Sequence, residues 1–417
     1  MDKFLITGGK PLQGTVRIAG AKNATLPVMA ATLLSPGVSE IHDVPDLRDV
    51  RKMKDILTIL GAKIESGPSW CRVDASHITS SQVPERLMRE MRSSVFIMGA
   101  LLGRQGAVKL SYPGGCAIGP RPIDLHLKGL ASLGARISER HGYIIAEAKK
   151  LQGSDIHLDF PSVGATENIM MAAVLADGVT VIRNAAKEPE VVDLQNFLNK
   201  MGARIRGAGT DTIKIEGVST LGSASHNVIP DRIEAGTFMV AAAMTGGDVY
   251  LENVIAEHNE PVTAKLREAG AFVEPVGDKV HVWAKGRLTA VDVKTLPYPG
   301  YPTDMQPQTM AMLSGAAGTS VIIENIFANR FKHVDELRRM GAQISIEGRA
   351  AVIRGVERLS GAAVEASDLR AGVALVLAGL VAEGQTVVDH IYHIDRGYEG
   401  LEHKLAALGA QVQRLQK

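Results

Sequence analysis

The chain is 417 residues long, with 45% hydrophobic and 22% charged residues and a formal net charge of +1. That balance describes an ordinary globular protein, and the near-zero charge removes the electrostatic footprint of a nucleic-acid binder. The longest run of apolar residues and glycine, residues 371–382, is too short to span a bilayer, and two cysteines cannot build a disulfide framework or a Cys-rich zinc site.

No apolar h-region or cleavage site opens the chain, so a soluble, cytoplasmic protein is expected, with no membrane and no nucleic-acid partner. Aromatic residues are only 4% of the chain and glycines number 43. Its core must therefore be filled by Ala, Val, Ile, Leu and Met, which suits closely packed helices.

Read along the chain, one phrase returns six times: a helical run, a small turn, then a β-branched strand. The copies are ILTILGAKI (Ile56–Ile64), LASLGARI (Leu130–Ile137), FLNKMGARI (Phe197–Ile205), KLREAGAFV (Lys265–Val273), ELRRMGAQI (Glu336–Ile344) and KLAALGAQV (Lys404–Val412). Their glycines, at 61, 134, 202, 270, 341 and 409, follow amphipathic helices and suit a helix C′ position of positive φ. Upstream of each phrase stands an Ala/Gly-rich helix such as MQPQTMAMLSGAAGTSVII or LRAGVALVLAGLVAEGQTVV, apolar nearly all round and expected to be buried. Residues 24–44 follow the pattern more loosely.

Each unit reads as buried helix, strand, loop, amphipathic helix, strand, strand: an α/β repeat. Six units could stack as a solenoid, but two similar domains of three repeats fit ordinary domain size better. Residues 22–229 form the first, and residues 1–21 with 230–417 the second, the chain crossing at the polar, turn-rich segment Ser223–Pro230.

Just before each buried helix lies a short polar segment: Ala21-Lys22-Asn23, Met91-Arg92-Ser93, Ser162-Val163-Gly164, Asp231-Arg232-Ile233, Thr303-Asp304-Met305 and Asp368-Leu369-Arg370. Helix N-termini attract anions, and two domains facing each other would converge several of them, with Lys22, Arg92, Arg232 and Arg370, on one cleft suited to a polyanionic small molecule. At Asp304, brought to a helix start by the Pro-rich YPGYPTDMQPQ, capping is the ordinary role, and Asp231 and Asp368 are equally explained as plain N-caps. Lys22 and Arg92 are not, because a cation opposes the helix dipole.

The loop SYPGGCAIGPRPIDLH (Ser111–His126) is too rich in Gly and Pro for regular structure. Cys116 at its centre has no apolar periodicity to bury it, and Arg121 nearby favours a thiolate; this points to chemistry. Cys71, in the strand-like WCRV, reads as core. NAAKEPEVVD (Asn184–Asp193) reads as a solvated loop, and HIDRGYEG (His393–Gly400) places Arg396 in a tight turn. Walker A, dinucleotide-binding, zincin and EF-hand patterns are absent, so no metal or nucleotide cofactor is indicated.

These strings, together with LDFPSVGATENIM, PDRIEAGTF, YPTDMQPQ, ENIFANRFKHVDELRRMGA and VVDHIYHIDRGYEG, resemble the enolpyruvyl transferase family over essentially the whole chain. The likeness is to its branch acting on UDP-N-acetylglucosamine in the first committed step of peptidoglycan synthesis. The resemblance implies an inside-out α/β barrel in each domain. It also implies transfer of the enolpyruvyl group of phosphoenolpyruvate to the sugar 3′-hydroxyl by addition and elimination, with release of phosphate. By the same resemblance Cys116 is the general acid, open to alkylation by fosfomycin-like epoxides, and Asp304 a candidate base at the 3′-hydroxyl. Lys22, Asn23, Arg121, Arg370 and Arg396 would bind phosphoenolpyruvate. Arg92, Arg121, Pro122, Ile123, Asp124, Leu125, Ser162, Val163, Gly164, Asp304 and Ile326 would hold the nucleotide sugar. The alternatives are the sister enzyme that makes 5-enolpyruvylshikimate 3-phosphate, and a sugar-nucleotide-binding paralogue without turnover.

Overall fold

The computed structural model describes residues 2–112 and 123–416. Six largely apolar helices, Lys22–Ala31, Ile97–Gln105, Val163–Ala173, Arg232–Met244, Gln306–Ser314 and Leu369–Val381, are buried over most of their length. Ala, Val, Leu and Met on every side leave no face for water. They pack on one another, Ile97–Gln105 on Val163–Ala173 and Gln306–Ser314 on Leu369–Val381.

Their partners are amphipathic. In Arg48–Leu60 the buried residues are Asp49, Val50, Met53, Ile56, Leu57 and Leu60, the three-and-four spacing of a single stripe. The six repeat glycines all have positive φ, between +91° and +111°. Each reverses the chain after its helix in a conformation that a Cβ would oppose. An antiparallel hairpin follows, as in Lys63–Gly67 against Trp70–Asp74.

The repeat contains one strand that the periodicity does not reveal. A short edge strand pairs in parallel with the strand after the buried helix in five of the sheets. Asp155–His157 lies beside Val179–Arg183, Ser225–Asn227 beside Val38–His42, and Gln13–Arg17 beside Asp248–Glu252. Val293–Lys294 and Ala363–Glu365 do the same for Thr319–Ile323 and Gln385–Asp389. Lys3–Thr7 is inserted between Gln385–Asp389 and Gln411–Leu415, antiparallel to both, so the chain's first strand completes its last sheet.

By contact the described residues fall into two compact units, residues 2–19 with 230–416, and residues 20–112 with 123–229. Each has its own hydrophobic core. Cys71 is fully buried in the core of the second of these. The class is α/β, with three buried helices in each unit. Among the described residues no helix is long and apolar enough to cross a membrane.

Candidate functional site

In the unit built from residues 20–229, Lys22 is the first residue of its helix. The residue before it, Ala21, supplies no side-chain cap. The Lys22 ammonium is nearly buried and lies 3.5 Å from an oxygen of Asp49, so part of its charge is answered within the protein. Asn23 follows in the same turn, half-buried. Arg92 opens the short 3-10 turn Arg92–Phe96 that leads into Ile97–Gln105. Ser162 caps Val163–Ala173, its hydroxyl accepting from the Ala165 N–H at 3.3 Å. Asp124 and Leu125 begin helix Asp124–Ser132, with Ile123 buried just before it. Cys116, Arg121 and Pro122 lie outside the described residues.

One buried side chain ties three of these segments together. Asn168 accepts from the Gly99 N–H at 2.5 Å and donates to the Val95 carbonyl and to His126 Nδ1, both at 2.9 Å. It thereby joins the turn that starts at Arg92, the helix that starts at Ser162, and the helix that starts at Asp124. The bond makes Nδ1 of His126 the acceptor nitrogen of a neutral ring. A Cβ on Gly164 would come within 3.0 Å of that ring, so glycine is what the close approach of helix and imidazole allows. Sequence reading missed Asn168; its only signal was an amide beside Glu167 in a largely apolar helix.

The segment Asn184–Asp193 is not the solvated loop expected. Glu190 and Asp193 are buried, and Asp193 holds His226 at 2.9 Å. Glu167, fully buried, has no hydrogen-bond partner on either oxygen among the described residues. Burial, with Glu190, Glu188 and Asp193 adding their charge, holds its carboxyl well above the usual carboxylate range. A raised folded-state value means that the stability is present at acid pH and lost as pH rises through that value. Glu167→Gln keeps the shape and removes the titration. Its melting temperature is expected to fall less than the wild type's between mildly acidic and alkaline buffer, read by thermal denaturation across pH. Parallel curves for the two proteins would remove Glu167 as the cause.

In the unit of residues 2–19 and 230–416, the three aspartates before the buried helices part company. Asp231 accepts from the N–H groups of Ile233 and Glu234, and Asp368 from those of Arg370 and Ala371. Both are N-caps. Asp304 is not: it sits in the 3-10 turn Thr303–Met305, and the helix after it has no side-chain cap. Arg330 Nη2 donates instead to Asp304 Oδ1 at 3.0 Å, and Arg370 Nε and Nη2 to Oδ2 at 3.2 and 3.1 Å. Both guanidiniums are almost fully buried. Guanidinium only donates, so the carboxylate is held as an acceptor. His333, buried nearby, adds no cation: burial and the neighbouring Arg330 outweigh Asp368 and push its imidazole down to about 4.

Glu324 shapes the adjoining loop. Oε1 accepts from Thr295 Oγ1 and from the N–H groups of Ile326 and Phe327, while Oε2 accepts from Thr303 Oγ1. Ile326 is thus fixed through its backbone beside the residue preceding Asp304. Arg396 ends the 3-10 turn Ile391–Arg396 and is half-buried, and Arg232 lies over the Tyr298 ring at 5.6 Å. Arg330 and Glu324 were missed by sequence reading: a single Arg or Glu in a loop carries no spacing that marks it.

The family model described as EPSP synthase (3-phosphoshikimate 1-carboxyvinyltransferase) matches residues 6–405, which sets the class as carboxyvinyl transferase. Two solved structures share the fold. One is the enolpyruvyl transferase NikO from Streptomyces tendae, with TM-score 0.89 at 24% identity over 99% of this chain and 98% of that one. The other is EPSP synthase from Acinetobacter baumannii, with TM-score 0.80 at 19% identity over the whole of both chains. The sequence resolves the branch. UDP-N-acetylglucosamine 1-carboxyvinyltransferase 1 of Symbiobacterium thermophilum is 60% identical over 99% of this chain and 95% of its own length. The protein of that name from Caldanaerobacter subterraneus subsp. tengcongensis is 59% identical over 99% of each, and the Geobacter metallireducens UDP-N-acetylglucosamine 1-carboxyvinyltransferase 52% over the whole of both. The chain belongs to the UDP-N-acetylglucosamine 1-carboxyvinyltransferase family.

Proposed function

We propose that this chain, acting in the cytoplasm, transfers the enolpyruvyl group of phosphoenolpyruvate to the 3′-hydroxyl of UDP-N-acetylglucosamine, the first committed step of peptidoglycan synthesis. In the addition step the sugar oxygen bonds to C2 of phosphoenolpyruvate while the vinyl CH2 takes a proton. In the elimination step that methyl gives a proton back and the C2–O bond to phosphate breaks, releasing inorganic phosphate. Asp304 is the base towards the hydroxyl and Cys116 the acid towards the vinyl carbon. Lys22, Asn23, Arg121, Arg370 and Arg396 hold the phosphate and carboxylate. Arg92, Arg121–Leu125, Ser162–Gly164 and Ile326 hold the nucleotide sugar.

The observation that carries this reading is the treatment of Asp304. Of three aspartates at matching places in the repeat, it alone gives up the capping role and is held by two buried guanidiniums. A carboxylate beside two buried cations suits a reaction that deprotonates a hydroxyl next to an anionic co-substrate.

The deciding experiment measures phosphate release from phosphoenolpyruvate with UDP-N-acetylglucosamine, and separately with shikimate 3-phosphate. Release with the first alone is expected. Release with the second alone identifies the sister activity, and release with neither leaves a binding protein. Lys22→Ala and Arg396→Ala are expected to cut kcat/KM for phosphoenolpyruvate by roughly 10- to 150-fold each, the worth of one charge-assisted contact. Arg92→Ala should act on the nucleotide sugar. Equal, small effects at all three positions would count against the assignment.

A further inference from the structure

The three buried helices of the unit of residues 230–416 each turn one polar group to a common point. Thr237 comes from Arg232–Met244, Gln308 from Gln306–Ser314 and Arg370 from Leu369–Val381. Tyr398 fills the space between them. Its backbone N–H and that of Gly397 bond to the Ile394 carbonyl, hooking it to the turn that carries Arg396. All four side chains are buried.

The proton positions follow from the donors available. Thr237 Oγ1 donates its one hydrogen to the Ile233 carbonyl at 2.7 Å, so the 2.8 Å contact with the Tyr398 hydroxyl has tyrosine as donor. Gln308 Nε2 donates to both oxygens, at 3.1 Å to Thr237 and 3.3 Å to Tyr398. Burial raises the phenol above its ordinary value despite the Arg370 charge, which keeps it protonated for this role. The ring is thereby locked by groups from two helices, and its face meets the third: the Arg370 guanidinium carbon lies 5.4 Å from the ring centroid.

Arg370 is held on two sides. Nε and Nη2 are taken by Asp304, the ring lies against the guanidinium, and Nη1 is buried with no hydrogen-bond partner among the described residues. A cation fixed in this way has its remaining N–H donors set in definite directions. A core that needed only volume would be filled more simply by Leu than by a phenol, an amide and a hydroxyl that all require partners.

We propose that Tyr398, braced by Thr237 and Gln308, is a positioning residue that orients Arg370, and through its own turn Arg396, towards the anionic groups of phosphoenolpyruvate. It rests on the transfer reaction proposed above. Tyr398→Leu removes ring and hydroxyl and is expected to lower kcat/KM for phosphoenolpyruvate roughly 30-fold, the worth of a desolvated cation–π contact. KM for UDP-N-acetylglucosamine should stay within about twofold, since a general loosening of the fold would move both substrates. Tyr398→Phe keeps the ring face and should recover most of the loss, leaving a deficit of about fivefold for the missing hydrogen bond. Thr237→Val should produce a similar phosphoenolpyruvate-specific deficit, and combining it with Tyr398→Phe should add little.

These outcomes separate the two ideas. Wild-type protein that releases no phosphate from the two substrates overturns the reaction, and this inference with it. Wild-type turnover with Tyr398→Leu unchanged towards phosphoenolpyruvate, or equally impaired towards both substrates, overturns only the positioning role. Should Tyr398→Leu fail to fold, additive effects of Tyr398→Phe and Thr237→Val, or effects shared by both substrates, would do the same.

Discussion

Asp304→Asn is expected to lower turnover by roughly 10²- to 10⁴-fold, the range that a positioned acid or base contributes. The amide keeps the size of the side chain but cannot take the proton of the sugar hydroxyl. It also presents an NH2 group where Arg330 or Arg370 now donates to carboxylate oxygens. Two nearly buried guanidiniums would lose their counter-charge. Because breaking such a pair by removing one partner strands buried charge, stability should fall by roughly 3 kcal/mol, seen as a lower melting temperature. The two effects can be separated: Asp304→Glu restores the charge and should recover stability, while its longer reach keeps turnover low. Asp304→Asn turning over at close to the wild-type rate would end the base assignment.

Cys116→Ser is expected to be the other severe lesion, with turnover falling by at least about 10²-fold and the fold intact. Serine occupies the same space, but its hydroxyl is a far weaker acid than a thiol and cannot supply the vinyl proton at neutral pH. Cys116→Asp offers a carboxyl in its place and should retain turnover while losing sensitivity to fosfomycin-like epoxides, which need a nucleophilic sulfur. Steady-state phosphate release, with and without preincubation with the epoxide, reads both outcomes. A serine variant at the wild-type rate would show that the proton comes from elsewhere.

The sequence alone determined the architecture's repeating unit, because its signals are local. An amphipathic stripe such as Val50, Met53, Leu57 and Leu60, a glycine after the last turn, and a helix apolar on all sides each depend on neighbours within a few residues. The six glycines that punctuate the phrase all adopt positive φ, and Cys71 lies in the core. The α/β class followed from these elements, and the family from the longer strings around them.

What tertiary structure decided depends on partners distant in the chain. The parallel edge strands are as short as Val293–Lys294, too brief for any period, and exist only through pairing with a strand distant in the chain, as Ser225–Asn227 does with Val38–His42. Burial of Glu190 and Asp193 in a charge-rich segment likewise arose from packing against Glu167 and His226, which a hydrophilic string cannot announce. Whether Asp304 caps its helix could not be read from TDM, since the same letters suit a cap and a paired carboxylate. Arg330, 26 residues on, and Arg370, 66 residues on, take both carboxylate oxygens instead, and the strength of that hold comes from burying charges that only the fold brings together.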